Sequence, residues 1–239
     1  MIPLYYDLHI HSCLSPCGDD DMTPANLVGM AAVKGLDVIA LTDHNSCANC
    51  PAAVFHGNNY GVTVIPGMEL TTEEEVHVIC LFPSLENALT FDALVYDRLM
   101  SIPNREDIFG KQQIMNEADE VIGTKENLLI NATSISFDEV FPLVESYGGI
   151  AYPAHVDKSS TSLISNLGFV PPESTFTCAE FHDFKNLHRL RRAHPYFDKC
   201  NVICCSDAHY LGDIHEPEHQ IFAESKSIEH IFKALAKNV

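Results

Sequence analysis

The sequence contains no tryptophan and few basic side chains. It has 14 Lys and Arg residues against 33 Asp and Glu residues, so its formal net charge is -19. Nucleic acids and anionic membrane surfaces bind basic patches, and so acidic a composition argues against both as partners. Bound divalent cations would invert the local potential, so a smaller anionic substrate remains compatible with this charge.

Long apolar runs and export signals are also absent. No apolar run approaches the ~20 residues that a membrane-spanning helix needs. The N-terminus enters a strand pattern at Leu4 without the basic and apolar regions of a signal peptide. The nine cysteines are an odd number, which favours reduced thiols over a disulfide framework. These features together predict a cytoplasmic protein.

The sequence does contain a repeated pattern in which an apolar strand ends on His, Asp or Glu. It occurs five times, over residues 4–11, 38–44, 62–69, 149–155 and 201–209. A strand that buries apolar side chains gains nothing by ending on a charge or an imidazole. We therefore expect these strand ends to converge and their side chains to form a multinuclear metal centre.

The order of elements predicts one α/β domain over residues 1–239. Apolar strands alternate with helical patterns, and the Thr23-Pro24 pair is typical of a helix start. Between about residues 84 and 133 this rhythm changes to a helix followed by a hairpin. We interpret that stretch as an insertion over the mouth of a barrel, where it would shape or cover a pocket.

Two pairs of residues carry the strongest local signal. His9 and His11 lie on the same face of a strand, because side chains alternate with a period of two. Asp7 shares that face and could orient an imidazole. Asp207 and His209 repeat the spacing at another strand end. The alternative for the first pair alone is two partly buried histidines that are satisfied by backbone groups.

The ordered set of motifs resembles the polymerase and histidinol phosphatase (PHP) superfamily of metal-dependent phosphoesterases. The matching segments are Asp7-Leu8-His9-Ile10-His11, Leu41-Thr42-Asp43-His44, Gly67-Met68-Glu69 with His77, Ala154-His155, and Ser206-Asp207-Ala208-His209. The resemblance implies a distorted, TIM-like (β/α)7 barrel that holds two or three divalent metal ions. The metal could be zinc, manganese or iron, because His, Asp and Glu ligands accept all three.

The resemblance also implies which residues hold each metal ion. The first would take His9, His11, Glu69 and Asp207, and the second would share Glu69 and add His77 and His155. The third would take His44 and His209 with one ligand from the loop that precedes Thr23. Counting back from Thr23 selects Asp19 for that ligand, with Asp20 as the second choice.

The expected chemistry is phosphate ester hydrolysis by a metal-bound hydroxide. His182 is a candidate proton donor to the leaving group, although it could equally be a surface histidine. Lys158 is the candidate cation for the phosphate. The segment 185–194 is a basic cluster, which could bind a phosphate or simply be a solvated helix face.

Four cysteines suggest a further site. Cys13 and Cys17 follow the first strand, and Cys47 and Cys50 follow the second, so four thiolates could bind zinc or an iron–sulfur cluster. The alternative is free thiols.

The substrate expected from this set is a small phosphate monoester, such as a nucleotide or a sugar or amino-alcohol phosphate. A first alternative is a phosphodiesterase or 3′–5′ exonuclease. A second is a non-catalytic regulatory module that binds a metal or cluster.

Overall fold

The computed structural model describes residues 1–236, so residues 237–239 of the predicted domain lie outside the described part. The strands are β1 (Ile2–Ile10), β2 (Val38–Leu41), β3 (Thr63–Thr71), β4 (His77–Leu81), β5 (Gln113–Met115), β6 (Val121–Thr124), β7 (Ile150–Pro153), β8 (Cys178–Phe181), β9 (Asn201–Cys204) and β10 (Gln220–Ala223). The α-helices are α1 (Pro24–Lys34), α2 (Cys50–Tyr60), α3 (Leu85–Arg98), α4 (Glu106–Phe109), α5 (Phe137–Ser146), α6 (Leu163–Leu167), α7 (Leu187–Ala193) and α8 (Ile228–Ala236). Short 3-10 turns cover Phe184–Asn186, Pro195–Lys199 and Leu211–Asp213.

The main sheet has six strands and curls into half a barrel. Its order is β10-β1-β2-β3-β4-β7, and β8 pairs in parallel with β9 in a separate sheet. Just beyond β9, Ala208 forms a bridge with Ile10 and accepts a hydrogen bond from the amide of His11. The ends of β1 and β9 therefore meet. The α/β class is confirmed, while the count of seven β/α units stays a prediction.

The strands are not all parallel, which explains the position of His77. β3 and β4 form an antiparallel pair in which Thr71 lies opposite His77. In an antiparallel pair the start of one strand lies beside the end of the other. His77 begins its strand, yet it lies at the rim where the other candidate ligands end theirs.

Two buried clusters of apolar side chains hold these strands in place. Leu8, Ile65 and Tyr152 belong to one buried cluster with α8, and Ile39 and Phe91 belong to a larger one with the surrounding helices. Burying side chains of this size contributes roughly 1.5–3 kcal/mol each. The rim residues are therefore carried by a rigid framework.

The helix that follows the first loop begins where the sequence predicts. The Thr23 side chain accepts a hydrogen bond from the amide of Asn26, Pro24 occupies the first helical position, and Gly35 ends α1 with a φ of 82°. A left-handed residue at this position is easiest for glycine. These caps fix the far end of the loop that runs from β1 to α1.

The segment 84–133 consists of α3, α4 and the β5–β6 hairpin, and it packs against the rim. The Asn45 side chain donates to the carbonyl of Leu129, and the Asn49 side chain accepts from the amide of Met115. Both asparagines lie in the loop between β2 and α2. That the segment is an insertion over a barrel mouth stays a prediction.

A membrane span is not found in residues 1–236, because none of their helices is both long and apolar enough to cross a bilayer. A cytoplasmic location stays a prediction.

Candidate metal centre

The buried carboxylate of Glu69 lies at the middle of the rim. It comes from the end of β3, where His44 forms a bridge with it and the Asn45 amide donates to its carbonyl. Five imidazoles surround its two oxygens. The distances are 2.7 Å to His77, 3.0 Å to His155, 3.3 Å to His9, 3.4 Å to His11 and 3.0 Å to His44.

The first predicted ligand set comes together as one cluster. His9, His11, Glu69 and Asp207 each offer a ligand atom within 4.8 Å of the others. His9 Nε2 lies 3.1 Å from His11 Nε2 and 3.3 Å from Asp207 Oδ1, and His11 Nε2 lies 3.1 Å from the same oxygen. Two ligands that bind one zinc ion at 2.0–2.1 Å lie roughly 2.9–3.4 Å apart. The spacing fits a shared cation.

The hydrogen bonds on the outer nitrogens also fit a metal ion. His9 Nδ1 donates to Glu180 at 3.0 Å, and His11 Nδ1 lies 2.9 Å from the Ser15 hydroxyl. Both rings can therefore present an unprotonated Nε2 to the same point. Glu69 Oε2 and His155 Nδ1 are buried without a hydrogen-bond partner in the described protein. A cation among these groups would satisfy charges that are otherwise costly to bury.

The charges of the cluster shift its protonation equilibria. Burial raises the pKa of Glu69, but His77, His9 and His44 outweigh this and hold it well below its usual range. Burial lowers the pKa of His9, yet Glu180, Asp207 and Glu69 hold it well above its usual value. The Glu69 and Asp207 carboxylates, both with lowered pKa, therefore carry negative charge in a buried place, which attracts positive charge.

Two further groups of residues could hold metal ions beside the first. One consists of His44, Glu69 and His77, and the other of His11, His44 and His209. His155 lies beside the group of His44, Glu69 and His77. Its Nε2 atom is 3.0 Å from Glu69, and its ring lies 5.4 Å from that of His77. The predicted metal ligands therefore meet at one rim, with Asp19 as the exception.

Asp19 does not enter the cluster, although its backbone lies close to it. The Asp19 amide donates to the carbonyl of His209, but its carboxylate accepts from the amide of Asp21. Asp20 is exposed and accepts from Gln113. The geometry gives no support to either as the loop ligand, so that role stays a prediction.

Cys17 lies where the loop ligand is expected. Its sulfur is 3.0 Å from His209 Nε2. Burial raises the pKa of the thiol, but the charges and hydrogen bonds of His44 and His209 outweigh this and lower the pKa to about 6. Cys17 was expected to belong to a four-cysteine site, because the spacing of the cysteines does not reveal which histidine each one faces.

The four-cysteine site is not formed. Cys17 faces His209, whereas the thiols of Cys47 and Cys50 point to the carbonyl of Gly67 in β3. Cys13 is buried near the carbonyl of Gln113. The predicted zinc or iron–sulfur site at these four residues is therefore wrong, because the two loops direct their thiols to different places.

Glu180 has a role that the sequence did not reveal. It lies on β8, binds His9 Nδ1 and accepts from the amide of His155. Asp7, which was expected to orient an imidazole, instead accepts from the amides of Ser206 and His215. The alternation within β1 placed Asp7 on the correct face, but only the packing of β8 against the rim shows which carboxylate reaches His9.

The two residues predicted to assist the chemistry have different surroundings. The Lys158 ammonium forms an ion pair with Asp207, so it lies at the rim. His182 is exposed, and its amide donates to Asp157. Lys158 lies beside a candidate metal ligand and its phosphate-binding role stays a prediction, whereas the described contacts of His182 are those of its backbone. The proton-donor role of His182 stays a prediction.

Two candidate ligands sit on strained backbone. His155 has a φ of 28° and Asp207 a φ of 53°. Side chains other than glycine adopt such values at a cost of about 1–3 kcal/mol, and such strain often occurs at functional sites. At this rim the strain turns both side chains towards Glu69.

Comparison with known proteins identifies relatives among hydrolases. A family model described as PHP domain matches residues 7–190. A 5′-3′ exoribonuclease of Haemophilus influenzae is 35% identical over 79 residues, which cover 32% of this chain and 28% of that protein. The match thus spans well under half of the relative's length.

Solved structures share the fold. A lesion-specific endonuclease from Pyrococcus furiosus has a TM-score of 0.69 at 18% identity, covering 98% of this chain and 56% of that one. A candidate metal-dependent phosphoesterase from Bifidobacterium adolescentis has a TM-score of 0.53 at 20% identity, covering 98% and 96%.

These relatives overturn the predicted partner. A small phosphorylated substrate was expected and nucleic acid was judged unlikely from the net charge, yet an exoribonuclease and an endonuclease are among the similar proteins. The prediction is wrong because net charge averages over the whole surface, whereas binding depends on the charge at the site.

Proposed function

The chain belongs to the PHP domain family of metal-dependent phosphoesterases, and on that premise we propose that it hydrolyses phosphodiester bonds in single-stranded nucleic acid. The observation that carries this proposal is the cluster around Glu69. Imidazoles and carboxylates converge there, at a rim that also carries the partly exposed Lys158. The exoribonuclease relative supports a nucleic acid substrate.

The depth of the cluster supports a single strand over a duplex. His9, His11 and Glu69 are fully buried, while 23% of the His209 side chain is exposed. Access is therefore from the side of His209. The exposed ring of Tyr210 follows directly and offers a surface on which a base can stack. A flexible strand can bring a phosphate into such a recess more easily than a stiff duplex can.

Divalent metal ions bound by these residues would lower the pKa of water and neutralise charge on the phosphate oxygens. The protein's own groups fix the geometry. Glu180 and Ser15 hold the rings of His9 and His11 from behind, so both Nε2 atoms keep one direction.

Lys158 is suited to binding the scissile phosphate. Its ammonium is paired with Asp207, and 30% of the side chain is exposed. It can therefore reach a phosphate oxygen while it remains at the rim. Burial lowers the pKa of Lys158, but Asp207 outweighs this and raises it, so the side chain stays charged. A positive charge at this place attracts the phosphate locally, although the net charge of the protein is negative.

The basic helix α7 supports a path for the strand. It follows β8 through the turn Phe184–Asn186, and it presents Arg189 and Arg192 to solvent. Phe184 is also exposed where this segment leaves the rim. Cationic and aromatic side chains in series are typical of surfaces that bind single strands.

The test is a substrate comparison with metal-loaded protein. Single-stranded RNA and DNA oligonucleotides and bis-p-nitrophenyl phosphate should be cleaved, while p-nitrophenyl phosphate should be a much poorer substrate. The substitution Glu69→Gln should abolish cleavage. The control Glu73→Gln, at an exposed position two residues after the end of β3, should not. Turnover of the monoester alone would contradict the proposal. End-labelled oligonucleotides would also give the direction of cleavage.

A further inference from the structure

A thiol lies beside the group formed by His11, His44 and His209. We propose that Cys17 binds a metal ion together with His44 and His209, as the thiolate ligand of a His2Cys site. This inference rests on the proposed function, because it concerns one part of the same centre. It goes further in naming the loop ligand and, through it, the class of metal.

The three imidazoles already form a compact group. Their ligand atoms lie within 4.8 Å of one another. The ring of His11 lies 4.2 Å from that of His209 and 4.5 Å from that of His44. His44 Nδ1 lies 3.0 Å from Glu69 Oε2, and His11 Nε2 faces His9 and Asp207, so His11 belongs to the first ligand set. His44 and His209 alone leave two positions open in a tetrahedral site.

The sulfur of Cys17 is positioned to fill one of these places. It lies 3.0 Å from His209 Nε2. A sulfur at 2.3 Å and a nitrogen at 2.0–2.1 Å from one zinc ion lie roughly 3.1–3.6 Å apart. The observed distance is just below that range, so a small movement would bring Cys17 and His209 to the spacing of two ligands of one ion.

The loop that carries Cys17 is held on both sides of it. The Gly18 amide donates to the carbonyl of Ser15, and the Asp19 amide donates to the carbonyl of His209. A Cβ atom at Gly18 would lie 2.3 Å from the carbonyl oxygen of Ser12, so only glycine fits there. These contacts hold the thiol beside His209.

Cys17 differs from the other cysteines. It is exposed, whereas the other eight are buried. An exposed thiol can exchange a metal ion with solvent, and a buried thiol that faces a carbonyl cannot. Thiolate ligands favour zinc and ferrous iron over magnesium and calcium, which bind oxygen ligands. The site is therefore expected to take zinc or iron in preference to the hard cations.

The experiment uses the full chain loaded with Co²⁺. Thiolate-to-cobalt charge-transfer absorption in the near ultraviolet is expected in the unmodified protein. Cys17→Ser should lose this absorption and bind one metal ion fewer per chain. Cys13→Ser is the matched control in the same loop, and it should keep both. Cys17→Asp should lose the absorption yet keep the metal ion, because an oxygen ligand replaces the sulfur.

The outcomes separate this inference from the proposed function. Absorption that survives Cys17→Ser, or no absorption in a protein that binds its full complement of cobalt, would overturn the thiolate ligand. Neither result depends on any substrate. Absorption that Cys17→Ser abolishes supports the ligand even if no oligonucleotide is cleaved, and in that case only the proposed function fails.

Discussion

A single carboxylate organises the centre at the scale of residues. Glu69 contacts the rings of five histidines from four segments of the chain. The rings of His9 and His11 are each held by a further partner, and His155 lies on strained backbone. For His9 that partner is Glu180, which is 1% exposed and therefore interacts with little screening by water. Ligand geometry thus depends on residues that would never touch the metal.

The substitution Glu180→Gln tests this dependence. Loss of the carboxylate removes the group that orients His9 and keeps its Nε2 available. Metal affinity should fall about 10–100-fold, as is usual for such supporting partners. Competitive titration against a chelator measures it. Glu173→Gln, at an exposed glutamate on the preceding loop, is the control. Equal affinity in the two variants would show that Glu180 does not position His9.

The sequence could predict which side chains meet at the rim but not the residues that support them. His9, His11, Glu69, His155 and Asp207 follow from residue type and position at a strand end, because convergence of strand ends is a general property of such sheets. Glu180 lies 171 residues from His9, and its role depends on how β8 packs beside β7. Cys17 could not be assigned because a loop has no periodicity from which a direction can be read.

At the scale of elements, the close approach of β3 and β4 brings His77 to the rim. Gly67 makes this approach possible. A Cβ atom there would lie 2.6 Å from the carbonyl oxygen of Cys80 and 2.8 Å from the Leu81 side chain. The antiparallel direction of β4 could not be predicted, because its apolar residues are equally compatible with a parallel strand.

The substitution Gly67→Ala should therefore destabilise the protein. The added methyl group would push β4 away and cost about 1–3 kcal/mol of the free energy of unfolding. Gly29→Ala is the control, since Gly29 lies in α1 with its nearest neighbour 4.0 Å away. Alanine in a helix should stabilise it by roughly 0.5–1 kcal/mol. Chemical denaturation measures both, and shifts of the same sign would refute the argument.

The helix α7 carries a second prediction at this scale. Arg189→Glu with Arg192→Glu should weaken binding of a single-stranded oligonucleotide by about tenfold or more. Each lost phosphate contact should also reduce the salt slope by roughly 0.7. Fluorescence anisotropy across a salt series measures both quantities.

The controls for α7 separate binding from chemistry. Hydrolysis of bis-p-nitrophenyl phosphate should not change, because the small diester does not extend to the helix. Arg105→Glu, at an exposed arginine in another segment, should leave binding unchanged. If reversal at Arg105 weakened binding as strongly, the effect would reflect net charge and not a path along α7.

At the scale of the whole molecule, the formal net charge of -19 and an anionic substrate are compatible. The negative charge is spread over the surface, whereas Lys158, α7 and any bound cations act where the strand would bind. Interactions between exposed charges are screened beyond about 8–10 Å at ordinary ionic strength. Composition was therefore a poor guide to the partner, whereas the order of strands and helices was a good guide to the fold class.

The most direct test of the whole account is a metal titration of chelator-treated protein. Mn²⁺ is added stepwise while bound metal and cleavage of a single-stranded RNA oligonucleotide are measured on the same samples. The metal-free protein should not cleave the oligonucleotide, and cleavage should rise together with the amount of bound metal. Full occupancy of the sites without any cleavage, or undiminished cleavage by the metal-free protein, would contradict it.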